Sequence, residues 1–249
     1  MSYLKSRLRQ FMRKWDRDIF QVSCLALTNS IIRKQEILAA QKIDLVLDVG
    51  ANEGQYGRFL RDHVRYDGVL VSYEPLTSVF QTLKDATKGD ANWRAVNLAL
   101  GSAPGSMRIN VAGNSQSSSL LPMLDQHRDA APTSAYVGTE EITVSTLDLQ
   151  AGELGLRGRN VYLKIDTQGF EKSVLDGAVD SLSSIGTIEL EMSFVPLYGG
   201  QLLFGEMKDC MRQRGFVMID IEPMFRDPRT GEILQADVVF QRATNATNG

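Results

Sequence analysis

Leu45-Val46-Leu47-Asp48-Val49-Gly50-Ala51-Asn52-Glu53-Gly54 joins a short apolar run to an acid and a glycine-rich turn, and a second apolar run, Gly68 to Tyr73, ends in Glu74-Pro75. A buried strand, a turn where backbone can meet a ligand, and a carboxylate closing the next strand form half of a nucleoside-binding, doubly wound sheet. In that reading Glu74 is a ribose clamp, because one carboxylate accepts from two vicinal hydroxyls and its charge strengthens both bonds. Asp48 would lie near the charged end of the ligand. Gly50 and Gly54 would let the backbone approach it, with Asn52, Gln55 and Pro75 bordering the same site. The turn lacks the third glycine of a dinucleotide turn. That form favours S-adenosylmethionine, which has no pyrophosphate to cradle. After the third strand, Asn97-Leu98-Ala99-Leu100-Gly101 offers Asn97 and Ala99 to frame an adenine ring.

The second chemical signal is Val161-Tyr162-Leu163-Lys164-Ile165-Asp166-Thr167-Gln168-Gly169-Phe170-Glu171. Ligands of open α/β sheets sit outside the carboxyl ends of the strands, and Lys164 and Asp166 alternate with apolar residues towards that end. A buried lysine needs a partner, so Lys164 is expected to pair with Asp166 or with Glu191 of the run Ile188-Glu189-Leu190-Glu191. Asp166 would lie beside the methyl donor, as part of the cofactor site, or beside the acceptor hydroxyl, where it is the first candidate for a base, with His127 and Glu191 behind it. Asp166, Glu191 and Asp237 could converge, and three carboxylates can hold a divalent cation. The chain shows no compact ligand motif, so no metal site is assigned. Of the two histidines, His63 is expected at the surface.

These residues must be carried by alternating strands and helices, the signature of a mostly parallel sheet. Strands are expected at 43–48, 69–74, 93–97, 161–166, 186–192, 215–221 and 236–242, and helices at 55–64, 76–88, 171–182 and 201–214. Two shorter strands fit 106–111 and 140–145. Residues 113–138, broken by Pro122 and Pro132, read as a long loop with one helical turn; with Phe194–Gly200 the loop is expected to cover an acceptor, Phe194 and Tyr198 offering ring faces. Asp227-Pro228-Arg229-Thr230-Gly231 punctuates a terminal hairpin. Residues 3–38 read as one helix with Leu4, Leu8, Phe11, Met12, Trp15, Ile19 and Val22 on one face. The chain then divides into a basic helical extension (1–42), one α/β domain (43–242) and a frayed tail (243–249).

The chain's 249 residues suffice for one well-buried domain. Its net charge of −3 gives no reason to expect nucleic acid. Residues 1–20 nevertheless carry Lys5, Arg7, Arg9, Arg13, Lys14 and Arg17 against Asp16 and Asp18, a net +4 that leaves −7 for the rest. A basic amphipathic helix over residues 3–22 could lie on an anionic membrane surface, dock on the core, or pair with a second subunit in a homodimer. Cys24 and Cys210 form neither metal spacing nor a disulfide framework, which suits a reducing cytoplasm. No apolar run is long enough to span a bilayer, and the N-terminus lacks an apolar secretory core.

Over residues 43–242 the chain resembles the FkbM family of S-adenosylmethionine-dependent methyltransferases. The resemblance rests on Asp48 to Gln55, Tyr73-Glu74-Pro75, Leu98 to Gly101, Ser117 to Leu120, Thr146-Leu147-Asp148, Leu163 to Glu171, Phe194 to Tyr198 and Gln235-Ala236-Asp237. It departs at Thr167-Gln168, where many relatives carry Val-Glu, so one acid is lost. The resemblance implies a class I, Rossmann-like, seven-stranded sheet ending in an antiparallel hairpin. It also implies O-methylation of a hydroxyl-bearing small molecule or glycan, often a sugar or a glycolipid-type product. The alternative is a non-catalytic module of the same fold that binds a partner through its N-terminal helix. A short NAD-dependent oxidoreductase is disfavoured, since no Tyr-x-x-x-Lys pair is present.

Overall fold

The computed structural model describes residues 29–243. The most apolar runs make the centre of the sheet: β1 (Leu45–Val49) and β7 (Val161–Ile165) are buried at every position, as expected for parallel strands covered on both faces. β1 pairs in parallel with β2 (Val69–Tyr73) on one side and with β7 on the other. β3 (Trp93–Val96) extends the first side, and β8 (Ile185–Ser193) extends the second. The hairpin of β9 (Phe216–Arg226) and β10 (Ile233–Arg242) is inserted antiparallel, giving the order β3-β2-β1-β7-β8-β10-β9. This is the class I methyltransferase sheet. Its strand order reverses between β1 and β7, and a crevice opens there at the strands' carboxyl ends.

Helices cover both faces. α1 (Ser30–Ala40), α2 (Gln55–Phe59), continued by one wider turn to Val64, and α3 (Thr77–Ala86) pack around Leu60, Leu83, Trp93 and Tyr162. The other face carries α5 (Leu147–Leu154), α6 (Glu171–Asp176) and α7 (Phe204–Gln213). Thr146 caps α5, accepting from Leu149 N at 3.2 Å; this helix was missed in the sequence, although the Thr-Leu-Asp start was visible. α6 stops well short of residue 182. A Cβ on Gly177 would meet the Gly101 carbonyl oxygen at 1.9 Å, so the backbones press together where the helix was expected to continue.

A second sheet lies over the crevice: β4 (Ala99–Leu100), β6 (Tyr136–Ser145) and β5 (Gly105–Ala112), with β5 and β6 antiparallel. Both long strands exceed their expected lengths. The loop between them contains α4 (Asp125–Ala130) and is tied down by β5, Asn110 Nδ2 donating to the carbonyls of Ser119 and Leu121.

The expected helix over 3–38 is interrupted. Asn29 is extended (φ −120°, ψ 109°), and its Oδ1 accepts from Ile31 N at 3.0 Å, so the helix ending at Ala40 starts at Ser30. Residues 3–22 with their basic face, Cys24, and the tail beyond Ala243 lie outside the described residues. Among the described residues no helix is long and apolar enough to cross a membrane.

Candidate active site

A cavity of about 640 Å³ occupies the crevice. One end is formed by the turns after β1 and β2, where Gly50, Asn52, Gln55, Glu74, Pro75 and Ala99 all line it. Glu74 is buried. Its Oε2 accepts from Asn52 N at 3.0 Å and its Oε1 from Leu76 N at 2.8 Å. Burial pushes its pKa up to about 7, and the two amide bonds only partly offset this. A carboxylate with no cation beside it among the described residues suits a ligand that brings hydroxyl donors. Asn52 joins the turn to the covering loop: its Nδ2 donates to Ser115 Oγ at 3.1 Å, and Oδ1 accepts from Gln55 Nε2 at the same distance.

Three residues expected at this end do not reach the cavity. Asp48 is fully buried, accepts from Ser72 Oγ at 3.0 Å and stands 3.7 Å from Lys164 Nζ. It therefore braces a lysine rather than a ligand, and burial, resisted by Lys164, raises its pKa. Gly54 caps α2 and packs on Leu83 and Trp93. Asn97 turns its amide back onto the carbonyls of Glu74 and Pro75, both at 2.9 Å. Gly50 lines the cavity, but its missing Cβ serves another need: a Cβ would sit 1.8 Å from the Asp166 carbonyl oxygen, at a φ of +81°. The close approach that the structure shows is between the ends of β1 and β7.

The other end of the cavity is polar and acidic. Lys164 Nζ pairs with Asp166 Oδ2 at 3.1 Å, as one of its two expected partnerships, and not with Glu191. Burial pulls the ammonium's pKa down, but Asp166, Asp48 and Asp237 outweigh that and hold it charged. Gln168 takes the position between the acids. Its Nε2 donates to Asp166 Oδ1 at 2.8 Å and to Glu191 Oε2 at 2.6 Å, while its Oε1 accepts from Tyr198 OH at 2.7 Å. Glu191 Oε2 also accepts from Gln235 Nε2 at 2.8 Å. Burial and the neighbouring Asp166 and Asp237 hold Glu191 well above the usual carboxylate range. The convergence of carboxylates is thus real, but amides and a lysine fill the space between them. Among the described residues no group of three or more His, Cys, Asp or Glu is placed to hold a metal ion.

His127 lies on α4 and lines the cavity, but it is buried rather than solvated. Its ring meets Tyr198 edge-on at 5.0 Å and Phe225 at 5.4 Å, and burial lowers its pKa to about 4. The segment 194–200 does not line the cavity. Tyr198 is buried with its hydroxyl committed to Gln168, and Phe194 stacks on Phe204 at 4.9 Å. Tyr198 is thus withdrawn, while Phe194 stays exposed but outside the cavity lining. Of the long loop, Asn114–Leu120, His127 and Ala131 line the cavity.

Sequence reasoning missed one buried group. Lys34 Nζ donates to Glu189 Oε1 at 2.6 Å and to Tyr162 OH at 2.8 Å, and Glu189 Oε2 accepts from Tyr56 and Tyr162. Burial would raise the Glu189 pKa, but Lys34 and the hydroxyls lower it. An acid inside the apolar run Ile188-Glu189-Leu190 signals a hidden partner; no local pattern identifies that partner as Lys34.

The sequence profile of the methyltransferase FkbM domain matches residues 48–218. The chain belongs to the FkbM methyltransferase family. The activity that goes with this family is S-adenosylmethionine-dependent methyl transfer. Solved structures similar to it include the methyltransferase FkbM from Methylobacillus flagellatus KT (12% identity, 80% of this chain and 43% of that one, TM-score 0.47). Two others are the magnesium protoporphyrin IX methyltransferase of Synechocystis PCC 6803 with bound SAM (10% identity, 96% and 97% covered, TM-score 0.46) and a TehB-like SAM-dependent methyltransferase of Corynebacterium glutamicum (11% identity, 96% and 99% covered, TM-score 0.40). The chain spans under half the length of the first of these. No curated protein matches by sequence. Within the FkbM chain described here, the matched region supplies Glu74, Asp166 and Glu191. Lys34, Glu222, Gln235 and Asp237 reach the cavity from α1 and the terminal hairpin, outside the match.

Proposed function

We propose that this FkbM methyltransferase transfers a methyl group to a hydroxyl oxygen of a polyhydroxylated acceptor, most simply a sugar of a glycolipid, polysaccharide or related product. The observation that carries the reading is the cavity's two unlike ends: a buried carboxylate among backbone amides at the β1–β2 turns, and an acid- and amide-lined end at β7, β8 and β10. The first end fits the nucleoside of S-adenosylmethionine. Glu74 would accept from the ribose hydroxyls, while Leu98 and Ala99 would face the adenine. When bound, S-adenosylmethionine supplies an activated methyl on a cationic sulfur.

The chain's own residues would do the rest. Lys164 and Gln168 fix both oxygens of Asp166, so that carboxylate is oriented rather than mobile. Holding reacting groups in line can lower a barrier by about 7–11 kcal/mol. Asp166, Glu191 and Gln235 offer a mixed set of acceptors and donors suited to a polyol. The loop Asn114–Leu120 lines the cavity and would cover the acceptor and exclude water.

The direct test is incubation with labelled S-adenosylmethionine and a panel of methyl glycosides, with mass spectrometry of the products. A methyl ether on an acceptor oxygen supports the reading. Cofactor binding without any methylated product favours the non-catalytic module.

A further inference from the structure

The β8–β10–β9 register places three acids on one rung. Asp237 lies directly opposite Glu191 on β8 and Glu222 on β9. Residues directly opposite in an antiparallel pair share a face with Cβ atoms about 4.5–5.5 Å apart, and like charges there are unfavourable. All three line the cavity. The outer two are held: Glu191 by the amides of Gln168 and Gln235, and Glu222 by Arg33 Nη2 at 3.2 Å. Asp237, in the middle, receives no hydrogen bond from any described residue. The fold thus keeps a carboxylate facing the cavity at an electrostatic cost and gives it no structural partner.

We propose that Asp237 is the general base for methyl transfer, accepting the proton of the acceptor hydroxyl. The proposal rests on the reading of the chain as an O-methyltransferase and names the group that performs its proton transfer. As the acceptor oxygen's electron pair forms the bond to the methyl carbon, the carbon–sulfur bond breaks and its electrons stay on sulfur. The hydroxyl proton passes to a carboxylate oxygen of Asp237 and later to solvent. Asp166 is less suited to this step, because Lys164 and Gln168 already draw on both of its oxygens.

The charges around Asp237 agree with the role. Glu189 and Glu191 come from β8, Glu222 from β9, Lys164 from β7, Asp166 from the turn just after it, and Lys34 from α1. Tyr162 of β7 and Tyr56 of α2 bind Glu189, and Asp48 of β1 stands behind Lys164. Burial, then Glu189 and Asp166, raise the Asp237 pKa to about 8, against the opposing pull of Lys164 and Lys34. A base poised near the working pH is the effective kind.

The test is Asp237→Asn in the full chain, with Asp237→Glu as a second variant. Asparagine is isosteric and removes one charge from the rung, so the variant is expected to fold and to bind S-adenosylmethionine as wild type does. With any glycoside that the wild type methylates, turnover should rise with pH through about 8 and fall by ~10²–10⁴-fold in Asp237→Asn. Asp237→Glu should keep part of the turnover. Unchanged turnover and pH profile in Asp237→Asn would overturn the proposal. A titration that needs no acceptor runs beside it: carboxyl carbon resonances of ¹³C-labelled aspartate should include one titrating near pH 8 that Asp237→Asn lacks. If every aspartate titrates in the ordinary acid range, Asp237 is not the base. A wild type that binds no S-adenosylmethionine would instead remove the methyltransferase reading itself.

Discussion

Lys34 Nζ and Glu189 Oε1 meet at 2.6 Å although the residues are 155 positions apart. Both are buried, so this pair fixes α1 on the sheet at the edge of the cavity. Removing one member of a buried pair typically costs about 3–5 kcal/mol, because the other charge is left uncompensated. Lys34→Met is therefore expected to lower stability by that order at pH 7. The pair depresses the Glu189 pKa, so its stabilisation is present above the unfolded carboxylate pKa and is lost as pH falls through the folded one. Urea titrations of wild type and variant should converge in acid. A gap that does not shrink would contradict the pairing, and Glu189→Leu added to Lys34→Met should recover part of the loss.

Gln168 stands between Asp166 and Glu191 in the cavity. Here its amide donates to two carboxylates at once. Gln168→Glu would replace that donor with a third acceptor. We predict a loss of about 1–3 kcal/mol at pH 8 and a smaller loss at pH 5. The sign follows from the introduced acid: its folded pKa would be raised, so stability is retained while it is protonated and lost as pH rises. Melting temperatures measured at the two pH values check this, and an equal loss at both would count against it.

If Glu74 clamps the ribose as proposed, it should couple cofactor affinity to pH. Its pKa of about 7 in the protein lies well above the unfolded value, and a ribose diol would favour the charged form. Affinity for S-adenosylmethionine should therefore weaken as pH falls below 7, by up to about tenfold per unit. Glu74→Gln should bind more weakly throughout and show no such slope. Calorimetry at pH 6, 7 and 8 reads both.

Gly50→Ala is expected to damage the fold more than the chemistry. The added Cβ would overlap the Asp166 carbonyl, and the left-handed backbone there is strained for alanine by about 1–3 kcal/mol before any clash is counted. Low soluble yield or a lowered melting temperature should appear. Wild-type stability with impaired cofactor binding would mean that Gly50 instead makes room for ligand.

The architecture was legible because its signals are local. The runs at Leu45–Val49 and Val161–Ile165 announce central parallel strands, and Asp227–Gly231 announces the hairpin. Site positions were legible to the extent that strand ends define them, which placed Glu74, Lys164, Asp166 and Glu191 on the cavity. Side-chain direction was not legible. Asn97 and Tyr198 turn away to satisfy nearby polar groups, and Gly50 is required by a β1–β7 contact that joins distant segments. Lys34 shows the same difficulty, since its partner Glu189 comes from a strand far away in sequence; Asp237, by contrast, was expected to converge with Asp166 and Glu191, and all three line the cavity. The interruption at Asn29 was readable in principle, since an Asn-Ser pair ahead of a periodic apolar stretch is a helix start.

The proposed methyl transfer requires that the β1–β2 end of the cavity receive S-adenosylmethionine. The most direct measurement is calorimetric titration of the purified, folded chain with S-adenosylmethionine and, separately, with NAD, repeated with Glu74→Ala. The account predicts saturable S-adenosylmethionine binding with one site per chain, little or no NAD binding, and a loss of at least tenfold in affinity for Glu74→Ala. Absence of S-adenosylmethionine binding, or binding indifferent to Glu74→Ala, would contradict it.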